Sequence, residues 1–86
     1  MTPRERLTPK EIRIAILVWE GMTNREIGRI IGTTEQVIKN HLRSTFDKLG
    51  VWSRLELAMY VASHGGRNWP EPEASETSYQ QAVGAD

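Results

Sequence analysis

Four polar side chains in one short segment could do chemistry together. Gln36, Lys39, Asn40 and Arg43 stand at i, i+3, i+4 and i+7, one line along a helix. An amide carries a donor beside an acceptor and can pair with N6 and N7 of adenine, whereas Lys and Arg favour guanine O6 and N7 or a phosphate. Such a stripe suits the edges of bases. It is equally what a solvated helix surface shows, so spacing alone leaves both readings open. Thr34, as the residue before that helix, would aim backbone N–H groups at an anion, and Thr23, Asn24 and Arg25 repeat the arrangement one element earlier. Lys48 adds a cation at the far end of the same helix. These are the expected phosphate contacts, which position a protein but carry no sequence information.

Other chemistries find little support. The chain has no cysteine, hence no disulfide, thiolate nucleophile or Cys-based zinc site. His41 is joined only by His64, with no carboxylates at ligand spacing, so it is expected beside the core rather than on a metal or in catalysis. No Ser/His/Asp arrangement or Gly-rich phosphate loop is present. We therefore expect no enzyme and no cofactor. The segment "MTPRERLTPKE" lacks an apolar stretch of signal-peptide length, and no run approaches the roughly 18 apolar residues of a membrane span. A soluble, cytoplasmic protein with no membrane partner is the expectation.

The stripe needs elements to hold it, and their punctuation is legible. Thr8 with Glu11, Thr23 with Glu26 and Ser53 with Glu56 each set a hydroxyl three residues before a carboxylate, the spacing of a capping box. Pro9 fits the first helical position. Gly21, Gly32, Gly50 and Gly65 mark ends. These signals predict helices near 9–20, 24–31, 35–49 and 54–63, an all-α fold. Their apolar faces are Ile14, Ala15, Leu17 and Val18; Ile27, Ile30 and Ile31; Ile38, Leu42, Thr45 and Leu49; and Leu57, Ala58, Val61 and Ala62. Leu7 and Val51 precede helix starts as hydrophobic staples would. The second and third helices are separated only by "GTT", Gly32 to Thr34, a turn short enough to force a steep crossing, as in a helix-turn-helix.

The 86 residues allow one domain, and their formal net charge of zero hides two unlike parts. Residues 1–66 hold ten Lys and Arg against seven Asp and Glu, a balance of +3. Residues 67–86 hold Arg67 against Glu71, Glu73, Glu76 and Asp86, a balance of −3. That second part, with Pro70, Pro72 and many small polar residues, reads as a mobile acidic tail behind a Gly65-Gly66 hinge. Trp69 and Tyr79 are its candidates for docking, with Ile12 and Ile16 on the first helix as an apolar stripe that could receive Trp69.

From Leu7 to Ala58 the chain resembles the LuxR-type (NarL/GerE-like) DNA-binding domain. The matching pieces are "LTPKE", "EGMTNREIG", "VIKNHL" and "KLGV" followed by Ser53, Arg54 and Glu56, in order and without gaps. The resemblance implies a small four-helix helix-turn-helix domain whose third helix reads the major groove of double-stranded DNA and whose fourth often mediates dimerisation. By motif position, Lys39, Asn40 and Arg43 match the family's usual DNA contacts, and Gln36 stands where a basic or polar residue is usual. Val37 replaces a common Thr near the DNA backbone and offers a methyl surface for a thymine. Thr45 replaces a common Ile in the core.

Trp52 and Leu55 are more apolar than the family usually shows there. With Met59, one turn beyond Leu55, they form a candidate homodimer interface, one that could pair mainly on DNA. A chain of this length has no room for a receiver or ligand-sensing domain, so a stand-alone regulator or an excised output domain is expected. The competing reading is a protein-interaction module that keeps the fold and binds another regulator protein.

Overall fold

The computed structural model describes residues 6–69. Of the tail expected over residues 67–86, the part from Pro70 onward, with Glu71, Glu73, Glu76 and Tyr79, lies outside the described residues. Four helices follow in order, α1 (Pro9–Trp19), α2 (Asn24–Ile31), α3 (Glu35–Leu49) and α4 (Arg54–Ser63), and a 3-10 turn, Gly66–Asn68, comes after them. No strand occurs among the described residues, so the all-α expectation holds.

The helix starts are built as their sequences predict, with one exception. Thr8 Oγ1 accepts from the Glu11 N–H at 3.1 Å while Glu11 Oε1 accepts from the Thr8 N–H at 2.9 Å. Thr23 and Glu26 close the same reciprocal pair at α2. Ser53 caps α4 through its hydroxyl, but Glu56 returns to the Trp52 N–H at 2.6 Å instead of to Ser53, so this box is only half closed. At α3 only Thr34 contributes, accepting from the Val37 N–H, because the third helical position carries no carboxylate. Helix ends differ slightly from expectation. Trp19 ends α1 and His64 caps α4, Gly65 following one residue later.

One core unites all four helices. Ile14, Ala15 and Val18 of α1, Ile27 of α2, Ile38, Leu42 and Leu49 of α3, and Leu57 and Val61 of α4 are buried together with Leu7. Each fully buried Leu or Ile contributes on the order of 1.5–3 kcal/mol, and that is what a chain of this size has to set against its conformational entropy. Thr45 is wholly buried as expected, and its hydroxyl donates to the His41 carbonyl at 2.8 Å, so the polar atom costs little in the core. Two members of the expected apolar faces turn outward, Ile30 and Ala62.

The body does not stop at Gly66. Trp69 is 2% exposed and belongs to the core. Its indole meets the Tyr60 ring edge to face with centroids 6.0 Å apart, and Arg67 reaches Glu20 at 3.3 Å. Gly66 is buried against Trp19, where a Cβ would fall 2.9 Å from the indole. Gly65-Gly66 is thus a packed corner that lets the chain turn back onto α1 and α4.

Candidate nucleic-acid interface

The approach of α2 to α3 is set by two glycines. A Cβ on Gly28 would lie 2.9 Å from the Thr33 carbonyl oxygen, so the first turn after α2 sits directly on the α2 backbone. Gly32, with φ 88°, ends the helix, and its N–H and that of Thr33 both donate to the Gly28 carbonyl at 2.8 Å. The two helices therefore meet through a three-residue turn, and α3 buries Ile38, Leu42, Thr45 and Leu49 while its opposite side faces out.

That outward side carries the stripe. Gln36, Lys39, Asn40 and Arg43 are all exposed, and the structure thereby brings the four candidate base readers to one surface. Gln36 Nε2 donates to Asn40 Oδ1 at 3.1 Å. Thr34 is exposed at the head of the stripe and Val37 is half-buried beside it. Thr23 and Arg25 are exposed at the start of α2, with Asn24 half-buried between them. A shallow cleft of about 360 Å³ opens between these elements, lined by Asn24, Lys39, Leu42, Arg43, Phe46 and Arg54. Two apolar side chains form its lining along with three cations and an amide.

Beyond the capping hydroxyls of Thr23 and Thr34, two side chains named for phosphate, Lys48 and Asn24, have partners far along the chain. Lys48 Nζ lies 2.8 Å from Glu11 Oε1, so its charge is engaged within the fold. Asn24 Oδ1 accepts from Arg54, which also donates to the Met22 carbonyl. Both contacts fasten elements together. The first ties the end of α3 to the start of α1; the second ties the start of α4 to the loop before α2. Glu11 and Arg54 are the unforeseen members of the site. A signal for Glu11 did exist, since it stands at i to Ile14, Ala15 and Val18 at i+3, i+4 and i+7, on the apolar face itself.

The electrostatics follow from these bonds. Burial pushes the Glu11 carboxyl up, but hydrogen bonds from Lys48, the Thr8 N–H and Ser44, with the charge of Lys48, together hold it below the usual carboxylate range. Glu26 is also held low, first by the Thr23 N–H and then by the Thr23 hydroxyl. Among the described residues no group of three or more His, Cys, Asp or Glu could hold a metal ion, and no helix is long and apolar enough to cross a membrane.

A second surface lies on α4. Trp52, Leu55 and Met59 are 89%, 69% and 61% exposed. Leu55 and Met59 are one turn apart, and Trp52 stands just before the helix.

Residues 5–61 match the family described as bacterial regulatory proteins, luxR family. The chain belongs to that family. It is 40% identical over 59 residues to the transcriptional regulatory protein LiaR of Bacillus subtilis (strain 168), a match covering 69% of this chain and 28% of that protein. It is 39% identical over 62 residues to the probable transcriptional regulatory protein SgaR of Hyphomicrobium methylovorum, covering 72% and 28%. The nitrate/nitrite response regulator protein NarL of Escherichia coli (strain K12) is 36% identical over 55 residues, covering 64% and 26%. This LuxR-family chain thus spans little more than a quarter of these relatives' length. No solved structure gives a significant match.

Proposed function

We propose that the protein is a sequence-specific double-stranded-DNA-binding transcriptional regulator that lays α3 in the major groove. The observation that carries this reading is the exposed line of Gln36, Lys39, Asn40 and Arg43 on the second helix of a tight helix-turn-helix, in a chain whose relatives are named as transcriptional regulators. The amides and cations of that line suit base edges. Thr23, Arg25, Thr34 and Val37 flank it and meet the backbone, with Asn24 and Arg54 sharing the cleft between. Lys48 serves by aligning α3 against α1 through Glu11, which fixes where the other cations stand.

The bound form is a homodimer through Trp52, Leu55 and Met59 of the α4 surface. Two-fold symmetry then calls for an inverted repeat with half-sites about one helical turn apart. The same apolar surface also suits the rival reading, a module that binds another regulator protein. Selection of bound sequences from random duplex DNA separates the two. Enrichment of an inverted repeat supports the DNA reading; no enrichment, with no binding to duplex at low salt, leaves the protein-interaction reading in its place.

A further inference from the structure

The amides of Gln36 and Asn40 form one hydrogen-bonded unit. Gln36 Nε2 donates to Asn40 Oδ1 across a single turn of α3, at 3.1 Å, between two exposed residues. An asparagine amide rotated by half a turn exchanges oxygen for nitrogen and inverts what it shows a base. Rotated alone, Asn40 would set its NH2 against that of Gln36, donor against donor. Rotated together, the two amides would restore a bond but point the Gln36 oxygen and the Asn40 NH2 at one another. The structure holds the first sense instead, with the Gln36 NH2 turned to Asn40 and the Asn40 oxygen accepting.

Building on the proposal that α3 enters the major groove, we propose that Gln36 is a positioning residue that fixes the sense in which Asn40 reads adenine. One lone pair of Asn40 Oδ1 is taken by Gln36. The second accepts from adenine N6–H while Nδ2 donates to N7, the bidentate pairing open to this amide. The adenine then lies with its N6 side toward Gln36 and its N7 side toward Arg43. Arg43, three residues on, is placed for a neighbouring base pair. Gln36 influences sequence choice through Asn40, with no base pair of its own.

The test compares wild type with Gln36→Met, Gln36→Glu, Asn40→Ala and the double variant Gln36→Met/Asn40→Ala. Each binds a panel of duplexes in which every position of the selected site takes all four base pairs, and circular dichroism confirms that the helices are retained. Gln36→Met and Asn40→Ala are expected to relax the same base pair, and the double variant to relax it no further than Asn40→Ala alone. Gln36→Glu offers Oδ1 no donor and accepts from Nδ2 instead, so it turns the Asn40 amide. Preference for adenine at that pair then falls by about five- to a hundredfold, the loss of one bidentate pairing. A readout without DNA accompanies this, since the side-chain NH2 resonances of Gln36 in a 15N spectrum should move in Asn40→Ala. Relaxation of a different base pair by Gln36→Met, additive with Asn40→Ala, would overturn the proposal alone and make Gln36 an independent reader. Unmoved Gln36 resonances would also overturn it. Failure of the wild type to bind any duplex would overturn the groove reading itself and this proposal with it.

Discussion

At Asn40 and Arg25 the two proposed kinds of DNA contact separate by chemistry. Asn40→Ala removes a bidentate amide and is expected to cost about 1 to 3 kcal/mol on the preferred duplex while relaxing one base position. Arg25→Ala removes only charge near the backbone, so it should weaken all duplexes alike. Fluorescence anisotropy over a panel of sites measures both, and matching profiles for the two variants would contradict the division. Glu11 makes a different prediction. Its carboxyl is held below the usual carboxylate range in the folded protein, so its contribution to stability is fully present above that range. That contribution is lost as pH falls through the lowered folded value. Glu11→Gln should flatten this acid limb in chemical-denaturation curves recorded at a series of pH values; an unchanged limb would show that other carboxylates cause it. The exposed polar stripe of Gln36, Lys39, Asn40 and Arg43 was legible because helical spacing sets it on one line. The engagement of Lys48 was not, since Glu11 lies 37 residues away and only tertiary packing brings the pair together.

The helices themselves were readable from their caps, because a hydroxyl and a carboxylate three residues apart satisfy local N–H groups whatever the rest of the chain does. Legibility ended where packing decides. Ile30 shares the pattern of its helix yet faces out, and Trp69 resembles a tail residue yet completes the core. Gly28 belongs to the same class, a small residue whose need for smallness appears only when the Thr33 carbonyl is seen above it. Gly28→Ala gains helix propensity of roughly 1 kcal/mol but must displace backbone, an overpacking that costs about 1–3 kcal/mol. A net loss of stability on thermal melting is expected, with weaker DNA binding as α3 is pushed out of place; a more stable variant with unchanged binding would contradict the close approach. On α4, Leu55→Asp should leave the helix signal intact and abolish cooperative occupancy of two half-sites. Cooperativity that survives would move the interface off this surface.

For the whole molecule, charge is the governing quantity. Among residues 6–69 ten cations face six acidic side chains, a balance of +4, and residues 70–86 carry Glu71, Glu73, Glu76 and Asp86, a balance of −4. If about five phosphates are neutralised on binding, log affinity should fall by roughly four to five units per decade of salt. Because Trp69 is built into the body, the acidic segment is best removed from Pro70 onward. That deletion is expected to raise affinity severalfold at low salt and little at high salt, as titrations at the two salt concentrations would show; equal affinities at low salt would make the segment a bystander. Whether the exposed side of α3 meets the duplex is read from a 15N chemical-shift map of the full chain titrated with its selected duplex. The largest shifts are expected at Thr34, Gln36, Lys39, Asn40 and Arg43, with a second group at Thr23 to Arg25. Shifts confined to Trp52, Leu55 and Met59, or none at all, would contradict that contact.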